Sequence, residues 1–181
     1  EWQKQGLPAV VIAVNLSALQ FKDKNLLSII KSALEATMMA PEYLELELTE
    51  SIVMNDSEFA IANIQALKNL KLKLSIDDFG TGYSSLSYLK RFAIDKLKID
   101  QSFIADIGHD KGDEAIIKAI ISLAKALGQQ VIAEGVETQE QMDFLRENHC
   151  HEIQGYLYSK PLSAKDMTAF LQQVSEDNAV A

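Results

Sequence analysis

Cysteine is almost absent from this 181-residue chain: Cys150 stands alone, so no internal disulfide can form, and the composition suits a reducing, cytoplasmic setting. Long apolar runs are missing too. No stretch approaches the ~18 residues of a membrane span, and the N-terminus has no signal-peptide pattern. Basic residues are scarce. Lys and Arg number 17 against 26 Asp and Glu, a formal net charge of −9, which argues against DNA as a partner because phosphate-tracking surfaces are basic. A small nucleotide is compatible with that balance, since clustered carboxylates attract a divalent cation that can in turn hold phosphate. Linkers, low-complexity segments and repeats are lacking, so residues 1–181 read as one domain. An initiator Met is missing as well. Residues 1–6 read as a helix tail closed by Gly6, and the chain is expected to be a fragment of a larger protein.

What is present is a recurring strand ending. Five strand-like stretches finish on a residue able to bind metal or do chemistry: AVVIAVN at Asn15, LELE at Glu47, LKLSIDD at Asp77 and Asp78, KLK at Lys98, and QVIAE at Glu134. Side chains alternate faces along a strand. Leu44, Leu46 and Leu48 therefore lie opposite Glu45 and Glu47, and Leu72, Leu74 and Ile76 lie opposite Lys73, Ser75 and Asp77. By the same count Leu97 and Ile99 oppose Lys98, Val131 and Ala133 oppose Glu134, and Ile12 and Val14 oppose Asn15.

Helical patterns follow these strands. Residues 24–39 place Leu26, Ile30, Ala33, Leu34 and Met38 on one face. Asn55 with Glu58 suggests a capping-box start for the next helix, and a short helix is expected over 83–91. Residues 113–127 form the strongest pattern, closed by Gly128. Thr138 with Gln141 and Ser163 with Asp166 mark two later starts, separated by a short strand near 151–154. Six strands alternating with helices imply parallel pairing and right-handed crossovers. The expected fold is α/β, a TIM-type (β/α) barrel left incomplete at about six units, since a closed barrel typically needs ~250 residues. An open doubly wound sheet is the alternative, but chemistry from five strands converges most naturally at a barrel mouth.

Each motif has a plain structural explanation. Asp77 and Asp78 before Phe79-Gly80-Thr81-Gly82 suit metal binding beneath a mobile loop, yet a strand-to-helix turn with Asp78 as N-cap would look the same. Glu47 could simply be ion-paired to Lys73, Lys96 or Lys98. Asn15 could form a turn, Lys98 neutralise neighbours, and Glu134 cap backbone groups near Gly135. It is their joint occurrence at strand ends with matching parity that points to a site. A zinc reading of His149-Cys150-His151 lacks a second ligand pair.

Taken together, VNLSALQF, LELELTES, SIDDFGTGYSSLSYL, KLKIDQSFI, VIAEGVET and QGYLYSKPL resemble the EAL domain family, bacterial phosphodiesterases that hydrolyse cyclic di-GMP to linear pGpG. The resemblance runs in family order over essentially the whole chain. It implies a modified TIM barrel and a two-metal site using Mg2+ or Mn2+, with Asn15, Glu47, Asp77 and Asp78 as ligands. Lys98 would hold the attacking water, and Glu134 would be a metal-site or general-base carboxylate. Glu50 would anchor the DDFGTG loop, while Glu137 and Gln154 would support the site and substrate. The early Glu-Ala-Leu strand that names the family, with its metal-binding glutamate and nearby arginine, is not found here, so the 181 residues alone are expected to be inactive or nearly so. The resemblance further implies a homodimer through the DDFGTG loop and the helix after it, where Tyr83, Leu86, Tyr88, Leu89 and Phe92 supply apolar area. An upstream GGDEF or sensory domain would place this one in the cytoplasm, free or as part of a membrane-anchored protein. A non-catalytic EAL-like receptor for cyclic di-GMP is the competing function, and an unrelated metal-dependent barrel enzyme would not require these motifs together.

Overall fold

The structure is a computed structural model, and it describes residues 2–55, 57–82, 86–150 and 152–180. Six strands form one parallel sheet in sequence order: β1 (Ile12–Asn15), β2 (Leu44–Thr49), β3 (Lys73–Phe79), β4 (Lys96–Ile99), β5 (Gln130–Glu134) and β6 (Glu152–Gln154). Neighbours in space are neighbours in sequence, the order a (β/α) barrel requires, and the sheet curls into a half-barrel. Its edges are β1 and β6. β1 is exposed along its whole length, with Ile12 and Val14 open to solvent.

The helices are α1 (Ala18–Phe21), α2 (Leu26–Thr37), α3 (Glu50–Asn55), α4 (Ser57–Lys68), α5 (Leu86–Leu89), α6 (Gln101–Ala105), α7 (Lys111–Leu127), α8 (Gln139–Glu147) and α9 (Ala164–Val180). α7 shows why they form where they do. Asp110 caps its first turn by accepting from the Gly112 N–H, Asp113 and Glu114 complement the positive end of the dipole, and Gly128 closes it at φ 71°. Between those stops Ile117, Ile120, Ile121 and Ala124 turn inward, each large side chain contributing about 1.5–3 kcal/mol by leaving water. α8 starts on the expected Thr138/Gln141 capping box. At α9 the Ser163 hydroxyl accepts from the Asp166 N–H at 3.2 Å.

Two local expectations need correction. Asn55 does not start a helix; it ends α3, and α4 opens at Ser57. Glu58 is therefore free to pair with Arg91 across the surface, at 2.8 Å. The helix expected over 83–91 is only the single turn of α5, and residues 83–85 lie outside the described part. Of the five residues invoked for a dimer surface, Leu89 and Phe92 are buried within this chain's own core and Tyr88 is half-buried. Tyr83 and the Leu86 side chain fall outside what is described. Among the described residues, no helix is long and apolar enough to cross a membrane.

Strand parity separates two environments. Leu46, Leu48, Leu74, Ile76, Leu97, Ile99 and Ala133 join Val53, Ile64, Leu67, Ile104 and Ile117 from the helices in one apolar core. The alternate positions Glu45, Glu47 and Lys98 are buried as well, and burial of charge on that scale demands partners. They are found in two layers. The lower one sets Lys96 Nζ against Glu152 at 2.6 Å and Glu45 at 3.6 Å. The upper one is the candidate site.

Candidate active site

Lys98, near the C-terminal end of β4, is the hub. Its Nζ lies 2.8 Å from Glu47 on β2, 2.9 Å from Asp77 on β3 and 2.7 Å from Glu134 on β5. Burial pulls the ammonium toward its neutral form, but hydrogen bonds to Glu134, Glu47 and Asp77 outweigh that and hold it above the ordinary lysine value. Glu134 is pushed up, first by burial and further by the Asp77 and Glu47 charges, against the pull of Lys98. One ammonium facing three carboxylates leaves an excess of negative charge.

Strand parity by itself would put Asp78 on the helix-facing side of β3, with Ile76. A bulge changes that. Ile76 pairs with Leu97 and Phe79 with Ile99, so β3 spends one extra residue between the two pairs. Asp78 takes φ 55° there, and Asp77, Asp78 and Glu134 present oxygens all within 4.8 Å of one another. Burial raises the Asp78 carboxyl, with Asp77 and Asp100 adding to it. Crowded carboxylate oxygens of this kind are the donor set a hard divalent cation uses, so the residues present fit such an ion.

Beyond the bulge, Gly80 N–H donates to Glu50 Oε2 at 3.0 Å. A Cβ on Gly82 would sit 2.7 Å from Glu50 Oε1, so any other residue there would have to push the carboxylate from its present position. Glu50 is buried at the start of α3 and holds the loop in this structure. Asn15 ends β1 in register with Glu47, and Gln154 ends β6 in register with Glu134. Glu137 lies in the β5–α8 connection. With Glu134, Gln154, Gln101 and Tyr156 it lines an open cavity of about 810 Å³. Cys150 and His149 belong to the junction before β6, with the thiol buried; His151 lies outside the described residues.

Asp100 escaped the sequence reading. It N-caps α6 by accepting from the Ser102 N–H at 2.9 Å, and it faces Asp78. Although burial raises it, the Ser102 hydrogen bonds hold its carboxyl below the usual range. The signal was available: Asp100 shares parity with Lys98 in KLKID, one step past the strand end.

A model of the EAL domain family matches residues 1–161. This chain belongs to the EAL domain family. It is 46% identical over 168 residues to the cyclic di-GMP phosphodiesterase NbdA of Pseudomonas aeruginosa, covering 93% of this chain and 22% of that protein. The chain therefore spans about a fifth of the length of that curated relative. Among solved structures, the PaMucR phosphodiesterase in complex with c-di-GMP superposes with a TM-score of 0.89 at 43% identity, over 92% of this chain and 67% of that one. Klebsiella pneumoniae BlrP1 in its manganese/cy-diGMP complex gives 0.80 at 32% identity, over 88% and 41%. The fold expected from strand alternation is thus the fold of solved EAL domains.

Proposed function

We propose that this EAL domain hydrolyses cyclic di-GMP to linear pGpG within a bacterial signalling protein. The observation that carries the reading is the convergence of Glu47, Asp77 and Glu134 on Lys98 beside the cavity lined by Glu137 and Gln154. Support comes from relatives named as cyclic di-GMP phosphodiesterases and from a neighbour solved with manganese and this ligand.

Divalent cations, Mg2+ or Mn2+, held by Asn15, Glu47, Asp77 and Asp78, would supply Lewis acidity and an ionised water. The remaining chemistry falls to the chain. Lys98, kept charged by its neighbours, cannot take a proton; it donates hydrogen bonds to the attacking water or to charge growing on the phosphoryl oxygens. Glu134, with its raised carboxyl, is the better proton acceptor. The water oxygen forms the new bond to phosphorus, the bond to the 3′ oxygen breaks, and that oxygen gains a proton. Glu50 holds the loop after Asp78, and Glu137 and Gln154 meet the nucleotide. An upstream GGDEF or sensory domain and a homodimer complete the proposed setting.

The test is turnover of cyclic di-GMP by the whole protein with Mg2+ or Mn2+, followed by the appearance of pGpG. Tight binding without turnover would identify a receptor instead.

A further inference from the structure

Gln141 does more than cap a helix. It is buried, 8% exposed, and its amide is used on both sides. Oε1 accepts from the N–H of Glu137 at 2.8 Å and of Thr138 at 3.0 Å. Nε2 donates to the Ile104 carbonyl at 3.1 Å. The first two bonds belong to the start of α8. The third leaves that helix and reaches α6.

The two segments joined in this way both carry residues of the site. Asp100, which meets Asp78, caps α6, and Gln101 is the first residue of that helix. Glu134 ends β5, and Glu137 lies in the connection from it to α8. Gly135 packs so closely on α6 that a Cβ there would lie 2.6 Å from Gln101 Cβ. The connection's other flank is tied to β6: Val136 N–H donates to the Gln154 carbonyl at 3.1 Å, and Leu157 N–H donates to the Val136 carbonyl at 3.0 Å. Among the described residues, the Gln141 bond is the side-chain hydrogen bond that ties α8 to α6, beside the close packing of Gly135 on Gln101.

We propose that Gln141 is a positioning residue whose side-chain amide braces the Glu134–Glu137 segment against α6, setting the spacing between the Asp78–Asp100 side of the site and the Glu137–Gln154 side. The ligand that spans those sides is the cyclic dinucleotide of the function proposed above, and the brace rests on that reading only for the ligand's identity.

Gln141→Glu isolates the brace. Glutamate keeps both acceptor bonds of the capping box but turns an oxygen toward the Ile104 carbonyl; Gln141→Met removes all three bonds at similar volume. Asn63→Ala is the control, since it deletes a side-chain amide bond between α4 and α1, to the Phe21 carbonyl at 3.0 Å. In the whole protein, Gln141→Glu should lower kcat about tenfold while a control of matched unfolding midpoint keeps wild-type kinetics. Amide exchange at Glu137 and Thr138 should stay slow in Gln141→Glu and accelerate in Gln141→Met. Wild-type kinetics in both Gln141 variants would reduce the residue to a helix cap and overturn the proposal. Unchanged exchange in Gln141→Met would overturn the hydrogen-bond assignment itself. Should the wild type bind cyclic di-GMP without turnover, the phosphodiesterase reading fails separately; a tenfold weaker Kd in Gln141→Glu then supports the brace, and an unchanged Kd overturns it.

Discussion

Replacing Lys98 by methionine keeps most of the side chain's length and removes its charge, which separates the two duties that the geometry gives this residue. The first is structural. Glu47, Asp77 and Glu134 each lie within 2.9 Å of Nζ, and the Lys98 side chain is only 6% exposed. Removing one partner of a buried ion pair costs about 3–5 kcal/mol, because the remaining charge is left uncompensated. For a chain of this size, each kcal/mol moves the unfolding midpoint by roughly 2–4 °C, so a fall of about 10 °C is expected at pH 7 in EDTA. Glu134, already pushed above its ordinary value by burial, would rise further without Lys98. Its protonation therefore favours the folded state, and the variant should regain stability as pH falls from 7 to 5. In the wild type, Lys98 has a raised folded pKa; its contribution is complete below the unfolded lysine value and constant across this window. Millimolar Mn2+ should raise the variant's midpoint more than the wild type's, since a cation can replace the missing ammonium. The second duty is chemical: with saturating cation, turnover of cyclic di-GMP should stay depressed by at least ~100-fold with its affinity little changed. Circular dichroism melts over this pH series, with and without Mn2+, measure the first duty. A variant as stable as the wild type in EDTA would refute the claim that the three carboxylates depend on Lys98.

Asp77→Asn should cost at least ~100-fold in turnover, and near-normal hydrolysis would sink the two-metal assignment. Gly82→Ala should displace the loop, because the new Cβ would start 2.7 Å from Glu50 Oε1; Glu50→Ala should make the same substitution almost harmless, and equal losses in both backgrounds would disprove the contact. Gly155→Ala should destabilise strongly, since its Cβ would run into the Val136 backbone carbonyl, which cannot step aside as a side chain can; an unfolding midpoint within 1–2 °C of wild type, about the shift for half a kcal/mol, would contradict that packing. Burial pushes the Cys150 thiol up to about 11, so at pH 8 only about one in a thousand is thiolate. Maleimide labelling should follow unfolding, and rapid native labelling would show the thiol to be accessible.

How much of this was legible in the sequence follows from what fixes each feature. Alternation of side chains is a property of the extended backbone, so LELELT and KLKI place Glu47 and Lys98 on one face without reference to any neighbour. The helix stop at Gly128 and the helix start at Thr138 are equally local, and they hold. Asn55 misled because a capping box records a preference of four residues, whereas the chain had already begun α3 at Glu50 to bury Val53. Asp78 reads as a metal candidate from the paired carboxylates at the strand end and again by resemblance, yet its parity sets it opposite Asp77, and the bulge reconciles the two: the register with β4 slips by one residue, an event written in pairing rather than in the period of a single strand. Asp100 lies one step past the end of β4, where strand parity still runs on into the first residue of the following turn. Gln141 looked like a cap and is one; its third hydrogen bond depends on where α6 lands, which no window of local sequence contains. The legible residues are thus those whose role follows from their own strand, and the illegible ones act between elements. The carboxylates and the lysine could be found one strand at a time, while the spacing that makes them a site is set by a bulge, a glycine contact and a buried amide.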